Sequence, residues 1–231
     1  MIDTAIILAG GFGTRLRSVV SDVPKPMAPI NGKPFLYYLF KFLEKNKIRQ
    51  VVLSVGYKKE IIAKYFGPKF GSISILYSNE NYPLGTGGAI QKASTILNKK
   101  KVFILNGDTF FNISLKSLEY THNEKGSSLT MAVTKILNPN RYDFVHFSPE
   151  SKITGFNNTT SSNKYINGGI FIIEPDIFAK HKFPEIFSFE KDFLFKHHKA
   201  ENFFVYKSNA YFIDIGIPDS YNQFIADTKN E

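Results

Sequence analysis

A chain of 231 residues with 43% hydrophobic and 15% aromatic side chains can fill one core, which excludes a disordered or purely solvating role. The absence of cysteine excludes disulfides, thiolate metal sites and cysteine nucleophiles together. A formal net charge of +9 suits the handling of polyanions, yet the basic residues are scattered and accompany no nucleic-acid module, so nucleotides and not nucleic acid are the expected partners. Short apolar runs alternating with helical patterns dominate the first half and predict a parallel, helix-flanked sheet. Strands are predicted over Ala5–Ala9, Val51–Val55, Ile73–Tyr77 and Val102–Leu105, and helices over Pro34–Asn46, Lys59–Phe66, Gly88–Leu97 and Ile113–Glu124. In the first helix Phe35, Leu36, Leu39, Phe40 and Leu43 recur at helical spacing, after an Asn31-Gly32 turn and with Pro34 in the tolerant first turn. Beyond residue 126 the rhythm changes. Leu129–Lys135, Phe144–Phe147, Tyr165–Ile173 and Phe203–Ile215 read as strands, Asn157–Asn163 as a polar loop and Pro218–Thr228 as a final helix. The pattern predicts antiparallel strands that extend the sheet and close over a ligand, within one domain spanning residues 1–231.

The stretch Leu8-Ala9-Gly10-Gly11-Phe12-Gly13-Thr14-Arg15-Leu16 follows the first strand and leads to Pro24-Lys25-Pro26. Glycines at 10, 11 and 13 let backbone N–H groups approach a ligand closely, Arg15 offers a planar fork for phosphate oxygens and Lys25 a mobile charge, so the stretch reads as a polyphosphate cradle. It is not a dinucleotide fingerprint, because Leu16 stands where a third small residue is needed and Gly56 where an acid should end the second strand. Nor is it a Walker loop, since no choice of first glycine puts Gly-Lys-Ser/Thr at the required offset. Pro83-Leu84-Gly85-Thr86-Gly87-Gly88-Ala89 is a second glycine-rich stretch that opens a helix and offers free backbone donors. Asp108 ends a buried strand, where ligands collect in an open parallel sheet, and suits a hard cation such as Mg²⁺. Asp214 lies among apolar neighbours, where an acid is costly unless paired or metal-bound. The five histidines form no ligand or triad pattern.

Leu8 to Leu16 joined to Pro24-Lys25-Pro26-Met27 resembles the signature of the sugar-1-phosphate nucleotidylyltransferases, and within that family the chain is most similar to those acting as D-glycero-D-manno-heptose 1-phosphate guanylyltransferases. The resemblance implies a Rossmann-like mixed α/β fold, mainly parallel and flanked by helices, the nucleotide-diphospho-sugar transferase fold. It implies that Leu8, Ala9, Gly10, Gly11, Gly13 and Thr14 line the nucleotide, with Asp108 beside its phosphates and Gly85 and Thr86 against the base. Guanine needs hydrogen-bond acceptors, and Glu80 or backbone carbonyls can serve; a solvated loop acid is the other reading of Glu80. Gly107, Asn167, Gly168, Gly169, Glu190 and Lys191 are implied as the sugar-phosphate site, and Asp108 with Asp214 as the Mg²⁺ ligands. Arg15 and Lys25 are the implied catalytic residues, and GTP with D-glycero-α-D-manno-heptose 1-phosphate the implied partners; the oligomeric state stays open, with a homodimer as one reading. Mannose 1-phosphate guanylyl transfer, uridylyl transfer to another hexose phosphate, a catalytically dead nucleotide-sugar-binding subunit and a metal-dependent glycosyltransferase stay open. No apolar run approaches the roughly 18 residues of a membrane span. Asp3 and the early glycines are unlike a signal peptide, so a cytoplasmic protein without membrane contact is expected.

Overall fold

The computed structural model of the chain describes residues 1–11, 16, 19–20, 22–136, 142–157 and 164–229. Of the features expected above, Gly13, Thr14, Arg15 and the polar loop over 158–163 lie outside the described residues. The first strand, β1 (Thr4–Leu8), is buried along Thr4 to Ile7. A 3-10 turn (Lys25–Met27) leads into a hairpin of β2 (Pro29–Ile30) and β3 (Lys33–Pro34), whose turn residues Asn31 and Gly32 both take positive φ. α1 (Phe35–Lys45) follows, with Pro34 at its cap and not in its first turn. β4 (Gln50–Val55), α2 (Lys59–Phe66), β5 (Lys69–Phe70), β6 (Ile73–Asn79), α3 (Gly85–Leu97) and β7 (Val102–Asn106) continue the alternation. β8 (Thr109–Phe111) precedes α4 (Leu115–Glu124), which starts at Leu115 because the Ser114 hydroxyl accepts from the Ser117 N–H at 3.2 Å and caps it there.

The second half holds β9 (Leu129–Lys135), β10 (Phe144–Phe147), β11 (Ile153–Asn157), β12 (Tyr165–Ile173) and the short α5 (Ile177–Lys180). A π-helical stretch (Phe189–Leu194) runs into α6 (Phe195–His197), followed by β13 (Phe203–Lys207), β14 (Phe212–Asp214) and α7 (Pro218–Asp227). Among the described residues ten strands form one sheet in the order β11-β10-β12-β7-β1-β4-β6-β5, with β9 also against β12 and β13 outside β9. Its centre, β7, β1, β4 and β6, is parallel, and β12 joins antiparallel to β7 and β9. This is the mixed, helix-flanked sheet expected, except that β13 pairs parallel to β9 and not antiparallel.

The expected single strand Phe203–Ile215 is instead two strands in different sheets: β13 pairs with β9, whereas β14 pairs with β8 in a two-stranded sheet of its own. Between them the Ser208 N–H donates to Val133 and the Ser208 hydroxyl accepts from the Ala210 N–H, which turns the chain away from β9. β8 and β11 were not expected from the sequence, and α3 begins three residues before the predicted Gly88. Alternate residues of β1 feed two cores. Ala5 and Ile7 pack with α1, α2, α4 and α7, whereas Ile6 packs with α3 and the π-helical stretch. With both faces covered, the sheet leaves its carboxyl edge as the place where side chains meet a ligand. Among the described residues no helix is long and apolar enough to cross a membrane.

Candidate active site

The carboxyl ends of β1 and β7 lie side by side, Leu8 opposite Asn106, and they deliver the glycine loop and Asp108 to one edge. Gly107 makes that juxtaposition possible. Its N–H donates to the Leu8 carbonyl at 2.9 Å, and a Cβ there would stand 2.4 Å from the same oxygen. A cleft of about 500 Å³ opens over this edge, lined by Gly10, Gly11, Glu80, Gly85, Asp108 and Glu190 among others. Leu8, Lys25, Thr86 and Gly107 also line it, and Ala9 is buried beneath, its N–H donating to Ser54 at 2.8 Å.

At one end of the cleft three sequence-distant charges converge. The Lys25 ammonium lies 2.6 Å from Asp108 Oδ2 and 3.7 Å from Asp214 Oδ1, with the lysine side chain only 9% exposed. The pairing of β14 with β8 sets Asp214 opposite Thr109, and the Ile215 N–H donates to the Asp108 carbonyl at 3.0 Å, so the two acids are held by backbone. Side-chain geometry is fixed in turn. Asp214 accepts from the Gly216 N–H at 2.7 Å and from the Tyr142 hydroxyl at 3.2 Å, and Asp108 accepts from Thr109 at 3.1 Å. Among the described residues no group of three or more histidine and acidic side chains could hold a metal. Two convergent carboxylates nevertheless fit Mg²⁺, which takes one or two protein oxygens and completes its shell with phosphate and water.

Glu80 ties the end of β4 to the start of α3: its carboxylate accepts from Ser54 Oγ at 3.1 Å and from the Leu84 N–H at 3.1 Å. A Cβ on Gly10 would sit 2.6 Å from Glu80 Oε1 and force that carboxylate to move. The start of α3 departs from the expectation of free donors. The Gly87 and Gly88 N–H groups both donate to the Phe187 carbonyl, at 2.9 and 3.4 Å, and the Thr86 hydroxyl accepts from the Phe189 N–H at 2.9 Å.

A second chamber of about 230 Å³ shares Asn106, Asp108 and Glu190 with the cleft and adds Tyr142, Asp143, Asn167 and Asp214. β12 bulges between Asn167 and Phe171. Gly168 lies against the Phe111 ring, and Gly169, at φ 73°, lies against Asn106 and Thr109, so the close approach these glycines permit is to protein atoms that shape the chamber wall. The Asn167 amide donates to Glu190 Oε1 at 2.9 Å while its carbonyl accepts from the Gly169 N–H at 2.9 Å, which aims both groups. Crowding by the walls raises the Glu190 carboxyl above its ordinary value. Desolvation dominates, the Asn167 hydrogen bond opposes it, the Asp143 and Asp108 charges add to it, and Lys191 opposes it. Glu190 also meets water in the open cleft, which screens part of that push. Lys191 is exposed and lines neither cavity. Sequence reasoning missed Tyr142 and Asp143; the available signal was an acid immediately before the predicted strand at Phe144.

The nucleotidyl transferase family profile matches residues 4–231. The chain is 48% identical over 220 residues to a D-glycero-alpha-D-manno-heptose 1-phosphate guanylyltransferase of Aneurinibacillus thermoaerophilus, covering 95% of each. It is 43% identical over 222 residues to an enzyme of the same name from Campylobacter jejuni, covering 96% of this chain and 98% of that one. Among solved structures it superposes on HddC from Yersinia pseudotuberculosis complexed with GMP-PN, with TM-score 0.85 and 33% identity, over 98% of this chain and 99% of that one.

Proposed function

The chain belongs to the nucleotidyl transferase family, and from that premise we propose that it transfers GMP from GTP to D-glycero-α-D-manno-heptose 1-phosphate, giving a GDP-heptose and pyrophosphate. The observation that carries this reading is the convergence of Lys25, Asp108 and Asp214 where the cleft meets the second chamber. A phosphomonoester has its second pKa near 6, so an oxygen of the sugar phosphate is already charged at neutral pH and needs no general base. That oxygen attacks the α-phosphorus in line, the new P–O bond forms as the bond to the β-phosphate breaks, and the electron pair leaves with pyrophosphate. The task of the chain is to hold two mutually repelling anions in one geometry.

In this scheme Arg15 meets the β- and γ-phosphate oxygens with its planar fork, and Lys25 lies between the α-phosphate and the incoming phosphate. Asp108 and Asp214 would hold Mg²⁺, which supplies charge neutralisation at the α-phosphate. Glu80 and the turn at Gly85 and Thr86 border the base, whereas Asn167 donates to and Glu190 accepts from sugar hydroxyls, and Lys191 meets the sugar's phosphate.

The test is pyrophosphate release from GTP or UTP with a panel of D-glycero-α-D-manno-heptose, mannose and glucose 1-phosphates. Release with GTP and the heptose 1-phosphate, at least about tenfold above every other pair, is expected. Release confined to UTP overturns the guanylyl assignment, a preference for mannose 1-phosphate overturns the sugar, and no release with any pair favours a nucleotide-sugar-binding protein without catalysis.

A further inference from the structure

The segment from Phe183 to Glu190 crosses the amino-terminal turn of α3 and is fastened to it at successive points. The Phe187 N–H donates to the Leu84 carbonyl at 3.1 Å and the Tyr82 hydroxyl donates to Glu185 at 2.5 Å, beside the Gly87 and Thr86 bonds described above. The fit is close. A Cβ on Gly85, Gly87 or Gly88 would stand 2.5, 2.2 or 2.2 Å from atoms of Glu185 and Phe187. These glycines therefore serve contact with the crossing segment. Glu190 follows Phe189 directly, and its carboxylate reaches Asn167 in the second chamber.

One hydroxyl-to-amide bond, Thr86 to Phe189, thus separates the turn that lines the first half of the cleft from the carboxylate that lines the second. The neighbouring fastenings at Leu84 and Gly87 run between backbone groups, which form whatever the side chains are. The Thr86 bond depends on a side chain. We infer that Thr86 is a positioning residue for Glu190: by holding the Phe189 N–H it sets where the next residue's carboxylate stands in the sugar half; this rests on the transferase reading above. With its acceptor engaged by Phe189, Thr86 acts on the sugar phosphate through Glu190, and its effect on the nucleotide is the smaller one.

The experiment compares wild type, Thr86→Val, Thr86→Ala and Thr86→Ser, each checked by thermal melting, in pyrophosphate release with GTP and D-glycero-α-D-manno-heptose 1-phosphate. Valine keeps the shape but removes the acceptor, leaving the Phe189 N–H unpaired. Thr86→Val and Thr86→Ala are expected to raise KM for the heptose 1-phosphate about five- to tenfold, with a change in KM for GTP below about twofold, and Thr86→Ser to restore the wild-type value. Equal shifts for both substrates, a shift for GTP alone, no shift, or failure of serine to rescue overturns the inference. If wild type itself gives no release with the heptose 1-phosphate, the transferase reading fails separately. Hydrogen exchange of the unliganded proteins then decides, with faster exchange over residues 187–191 in Thr86→Val expected and unchanged exchange contradicting the positioning role.

Discussion

Lys25 is the residue at which three stretches of chain, more than 80 and more than 180 positions apart in sequence, come within one ion pair's reach. Its ammonium sits between two carboxylates that would otherwise repel each other at short range. Lys25→Gln therefore has two expected effects. Turnover in pyrophosphate release falls on the order of a thousandfold, because a charge facing the transferring phosphoryl group is gone. Mg²⁺ also raises the melting temperature of the variant more than that of wild type, because a cation then relieves the uncompensated acids; an equal or smaller shift contradicts the placement of Lys25. Glu190 makes the opposite case. Its pKa is raised from 4.5, so the ionised form costs native stability, a cost absent below pH 4.5 and complete once pH exceeds the raised value. Glu190→Gln is expected to melt higher than wild type at neutral pH, to lose that advantage below pH 4.5, and to raise KM for the sugar phosphate. A lower melting temperature at neutral pH would show that the carboxylate is not under strain.

At the scale of elements, the close seam between β1 and β7 carries the site. Gly107→Ala would push a Cβ against the Leu8 carbonyl, separate the two strand ends and carry Asp108 away from Asp214. A loss of about 1–3 kcal/mol in urea unfolding, with a larger proportional loss of turnover, is the expected outcome; a variant as stable and active as wild type would refute the seam. The elements around this seam were legible in sequence because each strand or helix there carries its own period and its own breakers, as Phe35 to Leu43 and Val51 to Val55 do. The division of β13 from β14 was not. Both are apolar and separated by a few mixed residues, and only pairing with β9 and β8, some 70 and 100 positions earlier in the chain, tells them apart. The role of the glycines at the start of α3 was hidden for a related reason. Sequence shows that they can admit something close, but not that residues 185 and 187 are what comes close.

Across the whole molecule the candidate site was legible in part. Composition and the glycine-arginine-lysine spacing pointed to a polyanion, while the convergence of Lys25 with Asp108 and Asp214 came from the family resemblance and is realised by a sheet pairing no local pattern encodes. Tyr142 and Asp143 had no such guide. Stability over the same fold carries a pH signature away from the site. His122, on the buried face of α4 with Nδ1 2.9 Å from Thr130 Oγ1, has its pKa lowered from 6.5 to about 4 by burial first and the Lys101 charge second. The unfolded chain takes up that proton below pH 6.5 and the native one only near 4, so stability falls as pH drops through this window, by up to roughly 3 kcal/mol, and no further below it. Urea midpoints measured from pH 7 to 4 are expected to decline less steeply in His122→Leu than in wild type; parallel curves would assign the acid sensitivity elsewhere. Catalysis by this scheme depends on where the metal and the triphosphate bind. A crystal grown with Mn²⁺ and a non-hydrolysable GTP analogue, with anomalous scattering to locate the ion, should give a peak touching both Asp108 and Asp214 with the α-phosphate beside Lys25, and an ion held by neither acid, or a triphosphate outside the cleft over β1 and β7, would contradict it.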